Sequence, residues 1–260
     1  MRVPINILSK NKSILGMLHI SECQNSLPIV IIVCIGKNGN RADVHQIITK
    51  LGDTCKKNNI NVCTFDYNGT GVSDGDFFNS TIKSRTKNLA DVINFIKGCF
   101  NNKLHIYLLG FCDGAKVVLN YIGNVNEPAI KGLIFWNPFL NTISNDTEKG
   151  KYFFDKKTDS GIHPKYKRIY FRFSGLFMSS NMLRDIINDT SIKYLSSFEK
   201  ALFIFSCKDE ISKNVYNYVN SNKEHSWTIK KIQNVGHLFE RISSEKEVII
   251  STIEWIKKNE

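Results

Sequence analysis

Ile106-Tyr-Leu-Leu-Gly110-Phe-Cys112-Asp113-Gly114-Ala-Lys-Val-Val-Leu-Asn-Tyr121 decides the fold, because it reads as strand, tight turn and helix with one nucleophilic side chain at the apex. The glycines on either side of the apex let the strand and helix backbones pass close together, as a nucleophile elbow of the form G-x-S-x-G requires. The apex residue here is Cys112 in place of serine. A thiol loses its proton more readily than a hydroxyl, and the thiolate is the attacking form. Most cysteines are small buried apolar residues. The strand, the two glycines and the helix around Cys112 point instead to a nucleophile.

Upstream of the elbow, Leu27-Pro-Ile-Val-Ile-Ile-Val-Cys-Ile-Gly36 has the unbroken β-branched character of a strand buried on both faces of a parallel sheet. The loop Lys37–Asp43, a helical pattern over Val44–Lys57 and a second buried strand, Asn61–Phe65, complete a β-loop-α-β unit. Residues 83–100 form an amphipathic helix with Leu89, Val92, Ile93, Ile96 and Phe100 near one face. Two earlier runs, Ile5–Leu8 and Ile14–Ile20, read as short strands paired in a hairpin at the sheet edge. Downstream, Ile130–Trp136, Ala201–Ser206 and Trp227–Ile232 read as strands and Lys246–Lys257 as the closing helix. This alternation predicts an α/β fold with a doubly wound, mostly parallel twisted sheet flanked by helices.

Residues 139–199 break the rhythm, and about sixty residues are too many for a plain loop. The stretch is rich in aromatic and basic residues, among them Tyr152, Phe153, Phe154, Tyr166, Arg168, Tyr170, Phe171 and Arg172. It is expected to form a mainly helical cap insertion, with 1–138 and 200–260 making one core domain.

At 260 residues the chain is long enough to bury a sizeable core. Met1–Asn6 leads into the polar Ser9–Lys12, without the apolar core of a signal peptide, and the longest apolar run, Ile29–Ile35, is too short to span a bilayer. Cysteines at 23, 34, 55, 63, 99, 112 and 207 are odd in number and make no C-x-x-C pair, which argues against a disulfide framework or a zinc site. A cytoplasmic protein with reduced thiols is expected. The net charge of +11 permits an acidic partner, but the lysines are spread along the chain and form no nucleic-acid module. No nucleic acid, metal or nucleotide cofactor is expected.

A cysteine nucleophile needs a base and a group to orient it. Asp209, just past the strand ending at Ser206, and His237, past the last strand, stand in the order Cys, Asp, His at strand ends where open α/β sheets place ligands. Glu210 is the alternative acid; His45 and His163 are alternative bases. The oxyanion donors are expected to be the backbone N–H groups of Asp113 and Lys37. A carboxylate beside the nucleophile would oppose thiolate formation, so the Asp113 side chain is expected to point away, toward a base in the cap. Asn38, Asn137, Phe139 and Tyr170 are expected to line the substrate site. The glycine-rich stretch Phe65–Gly75 lacks both the G-x-G-x-x-G spacing and a P-loop lysine, and reads as a structural turn.

The D-x-x-G-x-G-x-S-x-G run at Asp66–Gly75, together with the elbow, resembles the α/β-hydrolase superfamily. Val33–His45, Phe65–Gly71, Gly110-Phe-Cys-Asp-Gly-Ala115 and Leu133-Ile-Phe-Trp-Asn-Pro-Phe139 narrow the likeness to the exosortase A system-associated hydrolases, which carry a G-x-C-D-G-A elbow and an Asn-Pro motif after the next strand. The sequence departs at Asn68, where that family usually has arginine. The resemblance implies Cys112 as nucleophile, Asp209 as acid and His237 as base. The function expected is acyl hydrolysis or acyl transfer through an S-acyl-Cys112 intermediate, on an acyl thioester of coenzyme A or of an acyl carrier protein. A carboxylesterase or dienelactone-type hydrolase, and a catalytically idle binding protein on the same fold, are the alternatives.

Overall fold

A computed structural model describes residues 1–23, 27–141, 159–173, 175–222 and 225–260. Alternating apolar residues make the first hairpin, β1 (Arg2–Ser9) and β2 (Lys12–His19), with Ile5, Ile7, Ile14 and Leu18 buried. The chain continues through β3 (Ile29–Cys34), α1 (Ile47–Lys56), β4 (Ile60–Phe65), α2 (Ile82–Cys99), β5 (His105–Phe111), α3 (Gly114–Ile122) and β6 (Ile130–Trp136). Three short strands follow, β7 (Ser160–Ile162), β8 (Ile169–Phe173) and β9 (Leu176–Ser179), and then α4 (Ser180–Ile187). β10 (Ala201–Ser206), α5 (Lys213–Ser221), β11 (Thr228–Ile232) and α6 (Ile242–Asn259) complete the described elements.

The main sheet has the order β1-β2-β4-β3-β5-β6-β10-β11. β1 pairs antiparallel with β2, and β2 with β4; every other neighbouring pair is parallel. Predominantly apolar strands occupy the middle of the sheet because helices cover both faces: β3, β4 and β10 are buried at every position, Asn61 and Thr64 of β4 included. The winding reverses between β3 and β5. Cys34 pairs with Gly110 and Phe111 with Trp136, so the loops leaving β3, β5 and β6 emerge side by side. Such a switch point at the carboxyl ends of the strands is where this kind of sheet opens a crevice.

Two expectations change, and one helix was not expected at all. The helix predicted from Val44 starts at Ile47, because Asp43, His45 and Gln46 take φ of 53°, 53° and 58°, left-handed values that cannot continue a right-handed helix. α5 carries only two buried residues, Val215 and Val219, among polar neighbours, so its pattern is faint in the sequence. The segment expected as a mainly helical cap contains, in its described part, a three-stranded antiparallel sheet in the order β7-β8-β9, one helix and a 3-10 turn over Ser191–Ser197. β-Branched and aromatic residues in Ile169-Tyr-Phe-Arg-Phe173 favour a strand, and Gly175, at φ 80°, supplies the turn before β9. Met178, Met182, Leu183 and Ile186 join this unit to Ile82 at the start of α2. Tyr152, Phe153 and Phe154 lie outside the described residues.

Candidate active site

Cys112 occupies the turn between β5 and α3 with φ of 54°. A left-handed non-glycine residue is strained unless its surroundings hold it. Its N–H donates to the Trp136 carbonyl, and its carbonyl accepts from the Ala115 and Phe139 N–H groups, each at 3.1 Å. The flanking glycines are required by space. A Cβ on Gly110 would lie 2.7 Å from Ala115 Cα, and one on Gly114 would lie 2.0 Å from the Cys34 carbonyl oxygen. Gly114→Ala is therefore expected to lower unfolding free energy by about 1–3 kcal/mol through overpacking. Gly98→Ala, in α2 with nothing within 4 Å of the new Cβ, should raise it by up to about 1 kcal/mol. Urea denaturation of the two variants checks the opposite signs.

His237 and Asp209 converge on the same spot from the loops after β11 and β10. His237 Nδ1 lies 2.8 Å from Asp209 Oδ2. Asp209 Oδ2 also accepts from Ser212 Oγ at 2.5 Å, and Oδ1 from the Ile211 N–H at 2.9 Å. With Nδ1–H committed to the carboxylate, Nε2 is the atom left for chemistry; it is buried and makes no regular hydrogen bond among the described residues. Burial disfavours the imidazolium, but Asp209 and the neighbouring Cys112 thiol outweigh it and push His237 up to about 10. Burial likewise opposes the Asp209 carboxylate, and its bonds to His237, Ser212 and Ile211 hold it below the usual range.

The alternatives stand elsewhere. Glu210 is exposed and pairs with Lys213 at 3.0 Å. His45 is exposed, and His163 packs among Phe78, Tyr166 and Phe177 with Nδ1 accepting from the Lys165 and Tyr166 N–H groups.

A cavity of about 300 Å³ is lined by Cys112, His237, Lys37, Asn38, Asp113 and Phe139, among others. The Gly36 and Lys37 carbonyls accept from Arg85, at 3.4 and 2.9 Å, and a trans peptide points its N–H opposite to its carbonyl. Among the described residues the Asp113 carboxylate meets bases of the core and not of the cap. It lies 3.2 Å from Lys116 Nζ and 3.7 Å from Lys37 Nζ. Lys116 is fully buried and also donates to the Phe139 carbonyl at 2.9 Å, its ammonium 3.8 Å from the Phe139 ring centroid. Burial raises the Asp113 carboxyl, and the two lysines pull it below the usual range. Lys116 and Arg85 were not anticipated; the i,i+3 spacing of Asp113 and Lys116 at the head of an apolar helix is the signal that could have found the first.

Two expected lining residues lie outside this cavity. Asn137 is fully buried: its Nδ2 donates to Ser206 Oγ and to the His237 carbonyl, both at 2.8 Å, and its Oδ1 accepts from the Ser206 N–H at 2.7 Å. It braces the ends of β6, β10 and the His237 loop, with both side-chain N–H donors used. Tyr170 packs on Phe177, with ring centroids 4.6 Å apart, in β8. The glycine-rich turn is closed around the buried Asp66, which accepts from the Arg41 and Val72 N–H groups. A Cβ on Gly71 would lie 2.2 Å from Asp66 Oδ2, leaving no room for a phosphate.

Among the described residues no group of three or more His, Cys, Asp or Glu side chains could hold a metal ion, and no helix is long and apolar enough to cross a membrane. No curated protein matches the chain in sequence. Solved structures do match it in fold. Est1E of Butyrivibrio proteoclasticus, with ferulic acid bound, superposes with a TM-score of 0.75 at 17% identity over 98% of both chains. The α/β hydrolase GrgF of Penicillium sp. sh18 gives 0.73 at 14% identity, over 100% of this chain and 99% of that one. An esterase of Pyrococcus furiosus gives 0.67 at 17% identity, over 99% and 91%. These similarities establish the α/β-hydrolase fold. The family model described as serine aminopeptidase, S33, matches residues 30–193, more than half of the chain, which therefore belongs to that family of hydrolases.

Proposed function

We propose that this hydrolase is cysteine-dependent and works through an S-acyl-Cys112 intermediate on an acyl thioester of coenzyme A or of an acyl carrier protein. The observation that carries the reading is the Asp209–His237 pair, at 2.8 Å, with Nε2 beside a cysteine at the elbow apex. The family description specifies serine, and this chain has Cys112 at that point. The G-x-C-D-G-A elbow and the Asn-Pro after β6, which resemble the exosortase A system-associated hydrolases, support cysteine as its working nucleophile.

In this reading His237 Nε2 takes the thiol proton and Asp209 stabilises the imidazolium. Sulfur attacks the acyl carbon, and the N–H groups of Asp113 and Lys37 receive the developing oxyanion. Asp113 caps the N-terminus of α3, where the amides have no intrahelical acceptor and the helix dipole favours negative charge. The imidazolium then protonates the departing thiol. Water or another acceptor, deprotonated by His237, releases the acyl group.

A thioester donor is favoured because exchanging one thioester for another is nearly isoenergetic, whereas making one from an oxygen ester is uphill. In this reading the described residues within 159–199 serve as a cap over the core and offer a basic and aromatic surface to a phosphopantetheine arm. The cytoplasm is the proposed location, in keeping with seven free cysteines. A carboxylesterase is the second reading, supported by the likeness to Est1E and by a cavity lined mostly with apolar atoms.

Matched acyl thioesters and oxygen esters distinguish the two. The expected result is a kcat/KM about tenfold or more higher for the thioester, a difference of about 1.4 kcal/mol in transition-state stabilisation. Equal turnover would favour the esterase.

A further inference from the structure

We propose that Asp43 forms an amine-binding subsite opposite His237, so that the acyl group on Cys112 is passed to a primary amine. The inference rests on the S-acyl-Cys112 reading and names its acceptor.

Asp43 lines the same cavity as Cys112 and His237. Its backbone takes φ 53° and ψ −173°, close to a region that is almost confined to glycine. An L-residue keeps such a conformation only where its neighbours impose it. Here the Asp43 N–H donates to the Asn40 carbonyl at 2.9 Å, and the Asp43 carbonyl accepts from the Gln46 N–H at 3.2 Å. His45 and Gln46 also have positive φ.

Among the described residues the carboxylate is held at one oxygen. Oδ1 accepts from the Val44 N–H at 2.7 Å, while Oδ2 stands over Gly39, where an added Cβ would lie 3.0 Å from it. Arg41, two residues away, is committed to Asp66 at 2.5 Å. Among the described residues no lysine or arginine lies within ion-pair distance of Asp43, and the charge that acts on it is His237 across the cavity. Burial raises its carboxyl above the ordinary range, against the Val44 N–H and His237.

A carboxylate partly withdrawn from water is costly without a cation. An ammonium group supplies the charge and the hydrogen-bond donors together. Water as acceptor needs only His237 as base, and gains nothing from a second anion. An amine gains from both groups, because a primary ammonium must lose two protons to become an amide. The first passes through Asp43 to solvent and exposes the nitrogen lone pair. Nitrogen then bonds to the acyl carbon, the carbon–sulfur bond breaks with its electron pair returning to Cys112, and His237 takes the second proton. This restores the Cys112–His237 pair, and conversion of a thioester to an amide runs downhill.

The test uses butyryl-coenzyme A as donor, with propylamine and the neutral propanol as competing acceptors, and reads the ratio of amide to free acid by mass spectrometry. That ratio is independent of how fast Cys112 is loaded. For the wild type it should saturate with propylamine and exceed the propyl ester by about tenfold or more, as a charge-assisted contact implies. Asp43→Asn keeps the acceptor for Val44, and Asp43→Gly suits the backbone conformation. Both should lower the ratio about tenfold and abolish saturation. An unchanged ratio in both variants, or acid as sole product, overturns the amine subsite alone. Absence of a butyryl adduct on Cys112 overturns the acyl-enzyme reading and this inference with it.

Discussion

Cys112→Ala is expected to lower turnover by about 10⁴-fold or more, with the fold intact. The side chain is half-buried, and the elbow is held by backbone bonds to Trp136, Ala115 and Phe139 that alanine keeps. Loss of activity in a variant that still melts cooperatively therefore assigns the chemistry to the sulfur. Cys112→Ser adds a finer comparison, since it installs the residue that the family description names. A hydroxyl is shorter than a thiol and much harder to deprotonate, and the pairing that pushes His237 up to about 10 includes the Cys112 thiol. Serine should therefore recover little of the thioester activity, on the order of 1% or less. Serine matching cysteine would mean that the site works as an ordinary serine esterase.

Asp209→Asn should cost on the order of 10²–10⁴-fold in kcat/KM, because the amide cannot stabilise the imidazolium and can favour the wrong tautomer. It also has a stability signature with a definite sign. His237 is raised from 6.5 to about 10, so its contribution is fully present below about 6.5 and is lost as pH rises toward 10. Asp209 is lowered from 3.8, so its contribution is present above 3.8 and is lost as pH falls through its folded value. The difference between wild type and Asp209→Asn should therefore be largest between about pH 4 and 6.5, about 2–3 kcal/mol, and shrink on either side. Denaturant titrations at pH 5.5, 8 and 9.5 check it; a difference independent of pH would mean that the pair is not ionised.

The central strands were legible because burial on both faces leaves them almost wholly apolar, Lys131 being the one charged residue in these two: Ala201–Ser206 is read at its observed bounds, and Ile130–Trp136 likewise. The elbow was legible because Gly110 and Gly114 are dictated by contacts within a few residues or with the adjoining strand. What failed to show depends on distant partners or on unusual backbone. Asn137 reads as a ligand residue after a strand, yet its partners, Ser206 and the His237 carbonyl, come from 69 and 100 positions away. Asp113 was expected to seek a base in the cap, whereas Lys116, one turn along its own helix, and Lys37 hold it. The left-handed run at Asp43, His45 and Gln46 contains no glycine, so nothing in its composition announces it. The strands β7–β9 are short and lie in a stretch whose aromatic and basic residues follow no clean alternation.

The most direct test is intact-protein mass spectrometry after mixing the protein with a panel of acyl thioesters, alongside Cys112→Ala and His237→Ala. The account predicts a mass increase of one acyl group on the wild type, absent in Cys112→Ala and formed far more slowly in His237→Ala. No adduct from any donor, with Cys112 alkylating no faster than an ordinary buried thiol, would contradict it.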